Sequence, residues 1–152
     1  MRIGETWYRT IWVAEDGRSV DVIDQRALPH SFEIMRLATV EQAAYAISEM
    51  VVRGAPLIGA TAAYGVCLAL LEDPMHGSLD RALELLGATR PTAVNLRWAL
   101  EVMDEAVRYL PVEERVAAAY ARAARICDDD VEISKSIGEH GLSIFREISA
   151  AK

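Results

Sequence analysis

The sequence predicts an α+β fold in which a small antiparallel β-sheet is followed by a helical bundle, as one domain over residues 1–152. Short β-rich runs lie before residue 40, and helical periodicity dominates afterwards. Between Arg53 and Glu72 no charged residue occurs over 18 positions. A helix that is apolar on every side belongs at the centre of a domain, so this stretch is the predicted core of the bundle.

The β part is predicted from a hairpin pattern. Residues 10–13 and 20–23 are rich in branched apolar side chains and flank Asp16-Gly17, a frequent hairpin turn. A third strand is expected within residues 31–37, after Pro29.

Two helices are predicted next. Thr39 caps a helix through residue 52, with Gln42 three positions on, as in a capping box. Pro56 then begins the uncharged helix, residues 56–71, because proline suits the first helical turn. Its length reaches the lower limit for a membrane span, but glycines such as Gly59 and Gly65 favour a buried helix packed closely against its neighbours.

The remainder is expected to be helical. The pattern predicts a short amphipathic helix at 79–86, a turn at 87–92 and a helix capped by Thr92 that runs to residue 110. Pro111 ends it. Further helices are expected over 112–127 and 133–152, the last with a break near Gly138 and Gly141.

The composition of the chain argues against several classes of function. The chain has 16 basic and 23 acidic residues, a net charge of −7, which argues against a nucleic-acid surface. Cys67 and Cys127 are far apart and fit neither a disulfide framework nor a metal-like spacing, so we expect a reducing cytoplasm. The first residues show no signal-peptide pattern.

Arg53-Gly54-Ala55 is a candidate anion site. It precedes a helix start, where free N–H groups and the helix dipole favour negative charge, and a guanidinium matches phosphate or carboxylate geometry. Arg90 likewise precedes Pro91 and a helix. The open alternative is that each arginine pairs with a surface carboxylate, at little gain in stability.

Three segments resemble the amino-terminal part of the methylthioribose-1-phosphate isomerase family, in a superfamily shared with regulatory subunits of translation initiation factor 2B. They are Asp24-Gln25-Arg26, Met50-Val51-Val52-Arg53-Gly54-Ala55-Pro56 and Thr89-Arg90-Pro91-Thr92-Ala93-Val94-Asn95-Leu96. The resemblance implies that Arg53, Gly54, Ala55 and Arg90 contact the phosphate and sugar of 5-methylthioribose 1-phosphate, which the whole enzyme converts to the ketose in methionine salvage.

The resemblance also implies that no catalytic residue lies in this chain and that the reaction uses no metal or organic cofactor. The family's catalytic cysteine, in a Thr-His-Cys-Asn motif, and its catalytic aspartate belong to a following α/β domain, and neither Cys67 nor Cys127 stands in that motif. Expected partners are a sugar phosphate, this carboxy-terminal domain and further copies of the chain, with no nucleic acid and no membrane. Self-association is expected through Leu142, Ile144, Phe145 and Ile148.

Two other functions remain open. One is a non-catalytic regulatory or assembly domain of the initiation-factor type, and the other is an isomerase acting on ribose 1,5-bisphosphate. An arrangement in which Arg53 and Arg90 face one cavity favours an enzyme, and a substrate panel separates the two isomerases.

Overall fold

The computed structural model describes residues 2–150, and within them five short strands precede five helices. This arrangement confirms the predicted α+β class. The strands are β1 (Arg2–Ile3), β2 (Thr6–Trp7), β3 (Ile11–Val13), β4 (Val20–Ile23) and β5 (Ile34–Leu37). The helices are α1 (Val40–Ser48), α2 (Ala55–Glu72), α3 (His76–Thr89), α4 (Val94–Val107) and α5 (Val112–Ala150).

The predicted hairpin forms the centre of a three-stranded antiparallel sheet with the order β3-β4-β5. Its turn is held by Asp16, whose carboxylate accepts hydrogen bonds from the backbone of Arg18 and Ser19, both at 2.8 Å. Gly17 takes the left-handed conformation there, at φ 68°. The third strand is shorter than predicted, and the β1–β2 pairing was not predicted because two-residue strands leave no periodic pattern.

Helix α1 has the predicted cap at Thr39, but Gln42 reaches back to the residue before the cap, one position further than in a standard capping box. Thr39 Oγ1 accepts from the Gln42 backbone N–H at 3.3 Å, and Gln42 Oε1 accepts from the Ala38 N–H at 2.6 Å. The helix ends at Ser48 and does not reach residue 52, because Met50 adopts a positive φ of 57° and turns the chain. The next residue, Val51, accepts a hydrogen bond from the Gln25 N–H at 2.9 Å, which ties this turn to the sheet region.

Helix α2 is the core helix that the sequence predicts, beginning one residue earlier. It packs against all four other helices, and every residue from Leu57 to Leu70 is buried. A Cβ at Gly59 would lie 3.0 Å from the Asn95 carbonyl oxygen, and a Cβ at Gly65 would lie 3.0 Å from the Leu86 side chain. Within residues 2–150, α2 alone is long and apolar enough to cross a membrane, and 78% of it is buried inside the domain.

Three details of the later helices correct the predictions. Helix α3 continues through Thr89, so the predicted turn at 87–92 is shorter. Helix α4 starts after Ala93, and Thr92 does not cap it. Helix α5 is continuous from Val112 to Ala150, so the predicted separation at residues 128–132 and the predicted break near Gly138 and Gly141 are both wrong. A glycine costs only about 1 kcal/mol relative to alanine inside a helix, which the surrounding helical residues offset.

Arg115 is a buried arginine that joins three helices. Its Nε donates to the Leu110 carbonyl at 3.0 Å, Nη1 to that of Pro74 at 2.9 Å and Nη2 to that of Arg108 at 3.2 Å. Nη2 also lies 2.8 Å from His76 Nε2, which must be the acceptor because a guanidinium only donates. The side chain thereby fixes the start of α5 against the end of α4 and the start of α3.

Candidate functional site

A cleft of about 810 Å³ lies where the sheet meets three helices. Its walls come from the chain before and within β3, the first turns of α2 and α4, and the middle of α5. Most of the lining side chains are apolar, and a few charged or polar groups lie among them, as is usual in small-molecule sites. The charged and polar ones include Arg9, Gln25, Arg53, Asn95, Asp129 and Asp130.

Arg53 and Gly54 form the amino-terminal end of α2 within this cleft. Arg53 is exposed, and its Nε donates to the Met50 carbonyl at 3.3 Å. Gly54 is the N-cap, at φ 92°, a conformation that a side chain would strain. The Gly54 carbonyl accepts from Ile58 at 3.0 Å, so the N–H groups ahead of Ile58 have no acceptor inside the helix. Arg53, Gly54 and Leu57 all line the cleft, so one of its walls carries a guanidinium and the start of a helix.

The other two predicted contact residues, Ala55 and Arg90, do not line the cleft, although Ala55 opens helix α2. Arg90 is half-buried at the end of α3, and Val94 and Asn95, just beyond it, do line the cleft. Joint contact of Arg53 and Arg90 with one phosphate stays a prediction.

The alternative of surface pairing does not describe these two arginines. Among residues 2–150, neither Arg53 nor Arg90 forms an ion pair with a carboxylate. The nearby carboxylate of Asp24 is held by Arg26, whose hydrogen bonds lower the pKa of Asp24, and the charge of Arg53 acts in the same direction. Arg53 therefore keeps its charge available to a ligand.

Sequence reasoning missed a second cation in the cleft, Arg9. Its Nη1 lies 2.8 Å from Asp128 Oδ1 on α5, and both side chains are about half exposed. The adjacent Asp129 pairs with Arg125 at 2.8 Å on the same helix. Arg9 and Asp128 are too far apart in the sequence for any local pattern to indicate their contact.

The two thiols occupy different surroundings. Cys67 is buried in α2, and its thiol donates to the Ala63 carbonyl at 3.3 Å. Cys127 lines the cleft and is half-buried. Burial raises the pKa of both thiols. Both are therefore protonated near neutral pH, and a protonated thiol is a weak nucleophile.

The fold and the cleft together define an α+β domain with an arginine-bearing helix start as its polar centre. The family described as "Initiation factor 2 subunit family" matches residues 51–149, and the chain belongs to it.

Similar proteins agree with the resemblance found in the sequence. Methylthioribose-1-phosphate isomerase of Sinorhizobium medicae is 56% identical over 152 residues, which is 100% of this chain and 42% of that protein. The chain therefore spans less than half the length of this relative. The crystal structure of 5-methylthioribose 1-phosphate isomerase from Pyrococcus horikoshii has a TM-score of 0.74 and 39% identity, covering 82% of this chain and 37% of that one. Translation initiation factor eIF-2B, subunit delta, from A. fulgidus has a TM-score of 0.74 and 35% identity over 82% of this chain and 38% of that one.

Proposed function

We propose that this chain is the substrate-binding amino-terminal part of an aldose–ketose isomerase that converts 5-methylthioribose 1-phosphate to 5-methylthioribulose 1-phosphate in methionine salvage. The observation that carries the proposal is the placement of Arg53 and Gly54 at a helix start inside the cleft. A relative that is 56% identical over the whole chain is named for this substrate. The chain also resembles the isomerase family at the motif that contains both residues.

The chemistry explains why such a domain is useful. A phosphate on C1 blocks ordinary opening of the sugar ring, so an acid must assist cleavage of the C–O bond. Hydrogen then moves from C2 to C1, which oxidises C2 and reduces C1 without an external redox partner. General acid–base groups in a water-poor pocket suit this reaction. In our proposal this chain holds the phosphate and covers the sugar, and the acid–base groups belong to a following α/β domain.

The test uses a fusion of this chain to the part of the Sinorhizobium medicae relative that lies beyond the matched segment. Arg53→Ala and Arg90→Ala should each lower kcat/KM for 5-methylthioribose 1-phosphate, because each removes a charged partner of the phosphate. Losing such a partner costs roughly 2–5 kcal/mol, or tens- to thousands-fold in kcat/KM. Lysine should rescue only in part, since an ammonium cannot make the two-pronged contact.

The matched control is Arg81→Ala. The Arg81 side chain is 78% exposed and lies outside the cleft, so its loss should leave kcat/KM unchanged. The unfused chain should show no turnover. An Arg53→Ala fusion with unchanged kcat/KM and an unchanged melting curve would contradict the phosphate role.

The same fusion protein distinguishes the proposed function from two alternative functions. The likeness to eIF-2B subunit delta favours a non-catalytic regulatory or assembly domain, for which a well-folded fusion without turnover would be the result. Preference for ribose 1,5-bisphosphate in a substrate panel would indicate the related isomerase. The proposal includes a homo-oligomer in a reducing cytoplasm, and two free thiols suit that compartment.

A further inference from the structure

The carboxylate of Asp24 is held by a two-pronged contact with Arg26. Asp24 directly follows β4 and is 8% exposed. Its Oδ1 accepts a hydrogen bond from Arg26 Nε at 3.0 Å, and its Oδ2 accepts one from Nη2 at 2.6 Å. Arg26 Nη1 in turn donates to Tyr45 Oη on α1 at 3.4 Å. Arg26 therefore neutralises this nearly buried carboxylate.

The turn that carries Arg53 is tied to the same segment. Gln25, which stands between Asp24 and Arg26, donates its backbone N–H to the Val51 carbonyl at 2.9 Å, two residues before Arg53. Gln25 and Arg53 both line the cleft. Hydrogen bonds from Arg26 lower the pKa of Asp24, and the charge of Arg53 lowers it further. Two guanidinium groups thus act on one carboxylate, and the ion pair is formed with Arg26.

The Arg53 guanidinium has little to hold it in the cleft. It is exposed, and its Nε donates to the Met50 carbonyl at 3.3 Å. A nearly buried carboxylate without a partner is costly, so Asp24 would attract Arg53 if Arg26 were absent. We propose that Arg26 is a positioning residue, which occupies Asp24 and thereby leaves the Arg53 guanidinium in the cleft. The inference rests on the proposed function, in which Arg53 binds the phosphate.

The coupling between the two arginines can be measured without a ligand, in thermal melts of the 152-residue chain. Arg53→Ala alone should shift the melting temperature by no more than about 2 °C. In an Arg26→Gln background it should lower it by about 5 °C, because Arg53 would then be the partner of Asp24. The matched control is Arg36→Gln, which breaks a similar two-pronged pair with the nearly buried Asp21, at 2.8 and 2.9 Å. Arg53→Ala should cost no more there than in the unmodified chain.

The second measurement is kcat/KM of the fusion protein described above for 5-methylthioribose 1-phosphate. If Asp24 holds Arg53 for about nine-tenths of the time, Arg26→Gln should lower kcat/KM about ten-fold. Adding Asp24→Asn should restore most of it. Asparagine keeps the oxygen that accepts the Arg26 backbone N–H at 2.9 Å, but it has no charge to attract Arg53. A loss of folding alone would not be restored in this way.

Equal melting losses for Arg53→Ala in all three backgrounds would overturn the inference. So would a folded Asp24→Asn/Arg26→Gln fusion whose kcat/KM stays as low as that of Arg26→Gln. If Arg26→Gln does not fold, Arg26→Lys takes its place in both measurements, since an ammonium cannot make both contacts. Unchanged kcat/KM in the Arg53→Ala fusion would refute the phosphate role in the proposed function, whereas the melting comparison still decides whether Arg26 positions Arg53.

Discussion

Helix α2 and the outer segment of α5, residues 131–150, differ in how much tertiary packing contributes to their stability. Both contain a pair of glycines. In α2, a Cβ at Gly59 or Gly65 would press on a neighbouring helix at 3.0 Å, whereas a Cβ at Gly138 or Gly141 would meet nothing within 4 Å. The same residue type permits close contact in one helix and only lowers helix propensity in the other.

The apolar residues of the two helices differ in the same way. Those of α2 are buried on all sides, but those of the outer segment are exposed, and Phe145 is exposed to 73%. The buried positions of α5 all lie in its first half, at Arg115, Ala119, Ala123 and Ile126. The comparison teaches that α2 is stabilised by tertiary packing, and the outer segment by its own backbone hydrogen bonds.

The largest loss of stability is expected when Arg115, which anchors the start of α5, is replaced. Arg115→Met should lower the free energy of unfolding by about 3 kcal/mol, because the carbonyls of Leu110 and Pro74 would lose a buried donor. Urea unfolding measures it. Arg125→Met is the matched control on the same helix, since Arg125 is exposed and its ion pair with Asp129 is worth under about 1 kcal/mol. Equal losses in the two variants would show that the anchor contributes no special stability.

A somewhat smaller loss of stability is expected for a substitution inside α2. Gly65→Leu should destabilise the domain by about 1–3 kcal/mol, because its side chain would overlap Leu86 and Ala43. The matched change in the outer segment is Gly138→Ala, which should be neutral or stabilising by up to about 1 kcal/mol through helix propensity. Thermal melts followed by circular dichroism measure both. An unchanged melt for Gly65→Leu would mean that this face of α2 is not tightly packed.

Substitutions in the outer segment should have the smallest effect on the stability of the fold but a clear effect on self-association of the chain. Its exposed apolar side chains should drive self-association. Phe145→Ser should weaken association in sedimentation experiments without lowering the melting temperature. Trp7→Ser removes an equally exposed aromatic side chain elsewhere and should leave association unchanged. A clean monomer of the unmodified chain at high concentration would contradict the prediction.

Local patterns predicted much of this fold. The cap at Thr39, the Asp16-Gly17 turn and the uncharged run of α2 each depend on neighbours in sequence, and each is present. The break at Gly138 was predicted from propensity alone and is wrong, because the cost of two glycines is small for a helix of 39 residues. Arg115 follows two glutamates and has the local pattern of a surface residue, so its burial was not predictable.

The candidate site likewise contains residues that the sequence predicted and residues that only the structure brings together. Arg53 and Gly54 were predicted because a helix start is visible in the sequence. The opposite walls, which bring Arg9, Trp98 and Asp130 to the same cleft, depend on how distant elements pack. No periodicity or motif reports such packing, so the shape of the cleft required the structure.

The anchor at Arg115 also has a mechanical consequence. A helix of 39 residues is about 58 Å long at 1.5 Å per residue. Held at its root by the Arg115 contacts, α5 acts as a lever arm, and one degree of tilt there displaces its far end by about 1 Å. The hydrogen bonds from Arg115 to the carbonyls of Pro74, Arg108 and Leu110 thus fix the direction of the α5 axis, and with it the position of the far end of the helix.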